Sequence, residues 1–306
     1  MQYQQEMNIP YTIGVDVGAT KIAAGLVRGG KVIKKISVIH GPEVQSKKTG
    51  LLTVIDKTIE SIWRPEVVGI GLGLAGVTDQ QKGIFLNGAN FPTTFRNINF
   101  PVSFKKYGCP IQIDNDVHAF ALGEALYGAG REHGLVFGLT LGTGVGGALI
   151  VDGSVFHGRD NSTGEVGHMI IQMEGGAPCG PKQSGHLESY VSGTALQHQI
   201  TERFSKPVEP KDLDGLVLSG NRQATEIIEL AGRALAVGLA NIIQTINPDI
   251  IIVGGGLSRM QTLWKVCKRQ YKDLVTYRQP RSTPVVISKL QNDANILGAA
   301  RLTLMG

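Results

Sequence analysis

Two stretches of this chain follow one plan. Val15-Asp16-Val17-Gly18-Ala19-Thr20 and Leu139-Thr140-Leu141-Gly142-Thr143-Gly144 align without a gap, and at the same offset Ala24 meets Ala148, Leu26 meets Ile150, Val27 meets Val151 and Gly29 meets Gly153. Each copy is an apolar strand, a glycine turn and a second strand. A repeat of this kind restricts the fold more than any single motif, because both copies must close the same β-meander and bury equivalent faces. The expectation is two βββαβα units, each with a glycine turn after its first strand, the two turns facing one another across a cleft.

The remaining periodicities agree with that plan. Strands are predicted at 11–17, 21–27 and 31–38, a helix over 51–63 and a strand at 67–74. The stretch 85–100, rich in Asn, Pro and Gly, reads as loop. A short strand at 110–113 runs into Asp114-Asn115-Asp116 and a helix over about 117–127. Later come a long helix at 224–246, a buried strand at 249–253 ending in Gly254-Gly255-Gly256, a last strand at 284–287 and a closing helix at 296–304. The division between halves is placed at the helix beginning near Asp116. That gives an N-terminal domain over 1–116, to which the closing segment 296–306 returns, and a larger domain over 117–295.

Composition narrows the class. With 42% hydrophobic and 18% charged residues, the chain carries enough apolar surface for a core and no run long enough to span a membrane. Residues 1–11 lack the basic start and apolar centre of a secretory leader. Three cysteines, Cys109, Cys179 and Cys267, make no disulfide framework. A cytoplasmic enzyme is expected. The net charge of +5 is densest at Lys265, Lys268, Arg269, Lys272, Arg278 and Arg281; that spacing reads as a solvated helix face and not as a nucleic-acid surface. Glycine stands out, at 41 of 306 residues against an average of about 7%. Much of it lies in turns beside strands, where backbone can approach a ligand closely.

Backbone N–H groups in such turns suit phosphate. No Gly-x-x-x-x-Gly-Lys-Ser/Thr is present, and the segment after Gly18 continues as a strand, which excludes a Rossmann fingerprint. Asp16 at the strand end, with Thr20 and Lys21 across the turn, adds a carboxylate for Mg²⁺ or its water shell, a hydroxyl and a cation. An aspartate supporting its own turn is the alternative reading.

Asp16-Val17-Gly18-Ala19-Thr20-Lys21, Leu141-Gly142-Thr143-Gly144-Val145-Gly146-Gly147, Gly164-Glu165-Val166-Gly167-His168 and Val253-Gly254-Gly255-Gly256 together resemble the ROK family of bacterial sugar kinases and repressors. Each motif is weak singly; four in order and spacing are specific. The resemblance implies the actin/hexokinase/Hsp70-like α/β fold, with ATP phosphates held by Asp16, Gly18, Ala19, Thr20, Lys21, Gly142, Thr143, Gly144, Gly254, Gly255 and Gly256, and a sugar in the cleft between domains. It makes Asp116 of the Asn115-Asp116 pair the general base, although Asp before a helix is also a common N-cap. It assigns the sugar to Asn90, Asn115, Asp116, Glu165, His168 and Glu188.

The chain departs from the family at its zinc motif, Cys-x-Cys-Gly-x-x-Gly-Cys-x-Glu. Ala177 stands at the first cysteine, His186 at the third, and the loop is two residues longer. His168, Cys179 and His186 are the only candidate ligands left, and three do not make a closed structural site; no closed metal site is expected. His118 stands where many members carry a second Asn and reads as a packing residue. His40, His133, His157 and His198 belong to no motif and read as structural.

The resemblance therefore points to an ATP-dependent, Mg²⁺-assisted hexose kinase, glucokinase-like and acting on a 6-hydroxyl. N-acetylhexosamine kinase and fructokinase are alternatives within the family, and a sugar-sensing regulator without a DNA-binding domain is the alternative of another class. A sugar and ATP are the expected partners, with no nucleic acid and no membrane. Homo-oligomers are implied by resemblance alone.

Overall fold

Strand β1 (Tyr11–Val17) is buried on both faces and must therefore lie inside a sheet. In the computed structural model, which describes residues 9–41, 44, 48–88, 91, 93–180 and 182–304, it does. It pairs antiparallel with β2 (Lys21–Arg28), which pairs antiparallel with β3 (Lys31–Ile39), so the expected meander forms. Helix α1 (Lys48–Glu60) then crosses over to β4 (Val67–Leu74), parallel to β1. Leu51, Ile55 and Ile59 of α1 are fully buried with Ile13, Val15 and Val17 in one core.

The stretch read as loop carries structure. β5 (Val77–Asp79), β6 (Ile84–Asn87) and β7 (Ile98–Asn99) form a small antiparallel sheet, with Phe85, Phe91 and Phe95 packed ring to ring at 5.3–5.4 Å. Strands of two to four residues are too short to register as a period, which is why composition misled here. Then β8 (Ile111–Asn115) joins parallel to β4 and leads into α2 (Asp116–Tyr127). The sheet order is β3-β2-β1-β4-β8.

A second five-stranded sheet repeats it. β9 (Leu135–Leu141) has the same length and the same burial pattern as β1, and β10 (Val145–Val151) and β11 (Ser154–Val155) complete the meander. A small hairpin, β12 (Pro178–Cys179) and β13 (Gln183–Ser184), and helices α3 (Gly193–Arg203) and α4 (Arg222–Ile246) follow. β14 (Ile250–Gly254) runs parallel to β9, α5 (Gln261–Lys268) leads away from it, and β15 (Val285–Ile287) runs parallel to β14. The order β11-β10-β9-β14-β15 is the first sheet's order in chain succession. Lys265, Lys268 and Arg269 lie on the solvated side of α5, and Arg269 pairs with Glu229 at 2.6 Å. No helix among the described residues is long and apolar enough to cross a membrane.

The chain forms two compact units, Met1–Gly134 with Leu149–Thr163 and Ser288–Gly306, and Leu135–Ala148 with Gly164–Ile287. This differs from a single division at Asp116, because α2 packs within the first unit against the closing helix (Asn292–Leu302). Small residues make that packing close. A Cβ on Gly298 would run into the Ala119 carbonyl, and one on Gly123 into the Ala294 carbonyl. Gly298→Ala is therefore expected to destabilise the protein by about 1–3 kcal/mol through overpacking; an unchanged urea midpoint would show that the two helices separate freely. Fully buried Glu124 of α2 pins the returning chain as well, accepting from Ser288 Oγ at 2.5 Å, Leu290 N at 3.1 Å and Ala129 N at 3.0 Å.

Candidate active site

Within the first unit, Asp16 stands half-buried at the end of β1, and the turn after it is closed by Gly18 N–H donating to Lys21 O at 3.0 Å. Thr20 and Lys21 are exposed on that turn. Two strands away, β8 delivers Asn115 and Asp116. Asn115 takes the capping role: its Oδ1 accepts from Val117 N at 2.7 Å, and its Nδ2 donates to Gly76 O at 3.0 Å. Asp116 is thus the first residue inside the helix and not its N-cap.

Asn295, on the closing helix, joins the two acidic positions, its Nδ2 donating to Asp16 Oδ1 at 3.3 Å and to Asp116 O at 3.4 Å. No motif pointed to this residue. Burial, and after it the negative charge of Asp116, push the Asp16 carboxyl up to about 7, against the opposing pull of Asn295, Lys21 and Lys35. A carboxylate so disfavoured gains most from a cation.

In the second unit, the glycine turn is closed by Gly142 N–H donating to Gly144 O at 3.0 Å, one residue tighter than in the first. It is also tied to the start of α3: Gly193 N donates to Gly142 O at 2.8 Å, and Thr194 N and Oγ1 donate to Thr143 O at 3.2 and 2.9 Å. Glu188 Oε2 accepts from Val145 N at 2.8 Å, and a Cβ on Gly144 would collide with that carboxylate. Gly142, Thr143, Gly193, Thr194, Gly256, Leu257 and Met260 line a cavity of about 890 Å³ together with Gln197, His198 and Lys211. Apolar walls beside backbone and hydroxyl groups suit a base joined to a polar tail. Gly254 ends β14, and Gly255 takes the left-handed φ of 83° that lets its backbone pass against Leu141.

Glu165 precedes and His168 ends a single helical turn, Val166–His168, both exposed, with His168 Nε2 4.0 Å from Glu165 Oε2. The other ring nitrogen of His168 lies 3.4 Å from His186 Nδ1 and 4.0 Å from Cys179 Sγ. Atoms sharing a tetrahedral zinc at bonds of about 2.0–2.3 Å stand roughly 3.3–3.6 Å apart; the two histidines have that spacing, and Cys179 Sγ would have to move a few tenths of an ångström closer for the three to hold a zinc ion with its fourth position open. At the lost first cysteine, Ala177 N instead donates to Tyr190 Oη at 2.7 Å. Asn90 lies outside the described residues.

Another cluster was not legible as a motif. Buried Asp114 accepts from His118 Nδ1 at 2.8 Å, His157 Nε2 at 2.7 Å and Asn115 N at 2.7 Å. These are hydrogen-bond lengths, shorter than the spacing of ligands around an ion. Burial alone would raise the Asp114 carboxyl, but the hydrogen bonds from both imidazoles outweigh it and hold it at about 2. His118 is raised, since the Asp114 hydrogen bond and charge overcome the burial that would lower it.

Comparison with known proteins bears on this geometry. A profile of the ROK family matches residues 12–305. The chain is 33% identical to a glucokinase of Thermotoga maritima over 95% of this chain and 96% of that protein. It is 31% identical to an N-acetyl-D-glucosamine kinase of Escherichia coli over 82% and 85%. Among solved structures, a ROK family glucokinase from Streptomyces griseus in complex with glucose and AMPPNP superposes with a TM-score of 0.81 at 27% identity, covering 97% of this chain and 100% of that one. The paired sheets of like order are those of the actin/hexokinase-like fold, and with the family profile matching nearly end to end, the chain belongs to the ROK family.

Proposed function

We propose that this protein is an ATP-dependent sugar kinase that transfers the γ-phosphoryl group of ATP to the 6-hydroxyl of a glucose-like hexose. The observation that carries the reading is that Asp16 and Asp116 stand near enough for the charge of Asp116 to push up the Asp16 carboxyl, with Asn295 linking Asp16 Oδ1 to the Asp116 backbone carbonyl. Full-length similarity to a glucokinase supports the sugar as acceptor. Asp116 is the general base: it takes the proton of the attacking hydroxyl as the sugar oxygen bonds to the γ-phosphorus and the bond to the β-phosphate bridge breaks, releasing ADP. Asn115, Glu165, His168 and Glu188 are assigned to the sugar hydroxyls, along with Asn90. The Gly18–Lys21 and Gly142–Gly144 turns are assigned to the phosphates, and the cavity beside Gly256 to the adenosine.

Asp16 would hold Mg²⁺ or its water shell; the carboxyl pushed up by burial and by Asp116 fits a hard cation that takes oxygen ligands. When bound, the ion neutralises charge on the phosphates. His168, Cys179 and His186 would hold a zinc ion, which would tie the hairpin loop to the segment carrying Glu165 and His168. About one zinc per chain is expected on metal analysis, lost in Cys179→Ala; wild type purified without metal and binding none on titration would count against it.

A coupled ADP-release assay over glucose, mannose, fructose, N-acetylglucosamine and N-acetylmannosamine tests the function. Fastest turnover is expected with glucose. Fastest turnover with N-acetylglucosamine would move the acceptor to that of the second relative, and no turnover with any sugar would overturn the kinase reading.

A further inference from the structure

The loop from Phe156 to Thr163 has no part in the function assigned above, yet it is fastened within the first unit at several points. His157 donates from Nε2 to Asp114 Oδ2 at 2.7 Å, and the far nitrogen of His118 lies 3.5 Å from the Thr163 carbonyl. Asn161, in a left-handed conformation at φ 58°, donates from Nδ2 to Thr78 O at 3.1 Å and to Thr78 Oγ1 at 2.8 Å. The His157 tie reaches the end of β8 and the His118 tie the first turn of α2, while the two from Asn161 fasten the loop to β5. Asp114 is fully buried and His118 nearly so, while His157 is 28% exposed.

We infer that Asp114, His118 and His157 are positioning residues for the acceptor site: they lock the loop onto the end of β8 and thereby fix the backbone from which Asn115 and Asp116 project. This rests on the assignment of Asn115 and Asp116 to the sugar. The mechanical link is short. Asp114 Oδ1 accepts the Asn115 N–H at 2.7 Å and the His118 Nδ1–H at 2.8 Å, so one carboxylate holds both the residue before the helix and the helix's first turn. Its other oxygen is held by the loop. Removing the His157 donor leaves that oxygen buried without its loop partner, and the carboxylate can then turn and release Asn115.

Geometry predicts which substitutions are tolerated. A glutamine amide nitrogen occupies the place of imidazole Nε2, the atom His157 uses, and an asparagine amide nitrogen that of Nδ1, the atom His118 uses. His157→Leu is expected to lower kcat/KM for the sugar by about 10- to 100-fold, as displacement of a base by about an ångström does, with KM for ATP changed by no more than about twofold. His157→Gln is expected to recover most of that loss, and His118→Asn to outperform His118→Leu in the same way.

The test is steady-state kinetics of these variants and of Asp116→Asn with the best hexose, alongside thermal melts. Wild-type sugar kcat/KM in His157→Leu would overturn the inference. So would a His157→Gln as impaired as the leucine variant, which would mean that the imidazole itself matters and not its donor. A parallel rise in KM for ATP would also overturn it, as general loosening. If His157→Leu does not fold, His157→Ala against His157→Gln carries the same comparison. A normal His157→Leu beside an inactive Asp116→Asn defeats only the lock, whereas an active Asp116→Asn defeats the base assignment on which it rests.

Discussion

Asp116→Asn is expected to lower kcat by about 10²–10⁴-fold, the usual contribution of a positioned general base, while KM for ATP and the melting temperature stay close to wild type. The structure separates this prediction from a stability effect. The N-cap of α2 is Asn115, whose side chain already accepts the Val117 N–H, so Asp116 can lose its charge without uncapping the helix. Loss of a favourable charge in the first turn costs roughly 0.3–1 kcal/mol, and relief of its repulsion with Asp16 acts in the opposite direction. Single-turnover measurements would place the loss in the chemical step. A variant that phosphorylates the sugar at the wild-type rate would remove Asp116 from the mechanism.

Asp16→Asn is expected to make the metal-free protein more stable and the enzyme at least about 10²-fold slower, the scale on which a preorganised electrostatic contact contributes. Its carboxyl titrates at about 7 in the folded chain against an ordinary value of 3.8. Between those values the folded state keeps a proton that the unfolded chain has released, so stability falls as pH rises from about 4 to 7 and stays lower above 7. The asparagine variant has no such proton to lose. It should gain up to about 4 kcal/mol over wild type at pH 8 and little at pH 4, measured by urea unfolding in chelator. An equal difference at both pH values would show that burial and the Asp116 charge do not oppose the Asp16 anion. A buried carboxylate that costs stability while it has no counter-charge is a common pattern at functional sites.

Much of this was legible before any coordinates. The alignment of residues 15–20 with 139–144 anticipated two meanders, and β1 and β9 share length and burial pattern residue for residue. Helix periodicity located α1, α2 and α4 to within a few residues. Asn115-Asp116 was visible as a helix start, although which of the two caps the helix was not. Residues 85–100 were misread because short strands and a cluster of phenylalanines leave no period to detect. His118 and His157 each looked like an isolated histidine, and nothing in their spacing linked them to Asp114.

What the amino-acid order determined by itself was local: alternation along strands and the glycines that permit each turn. Those properties follow from sterics and solvation within a few neighbouring residues. Only the tertiary structure decided that Asn295, 279 residues from Asp16 along the chain, would bridge it to Asp116, that Glu188 would hold the turn at Val145, and that His157 would meet Asp114. Such contacts depend on which faces of distant elements are brought together and in what register, and that is settled by the packing of the whole core.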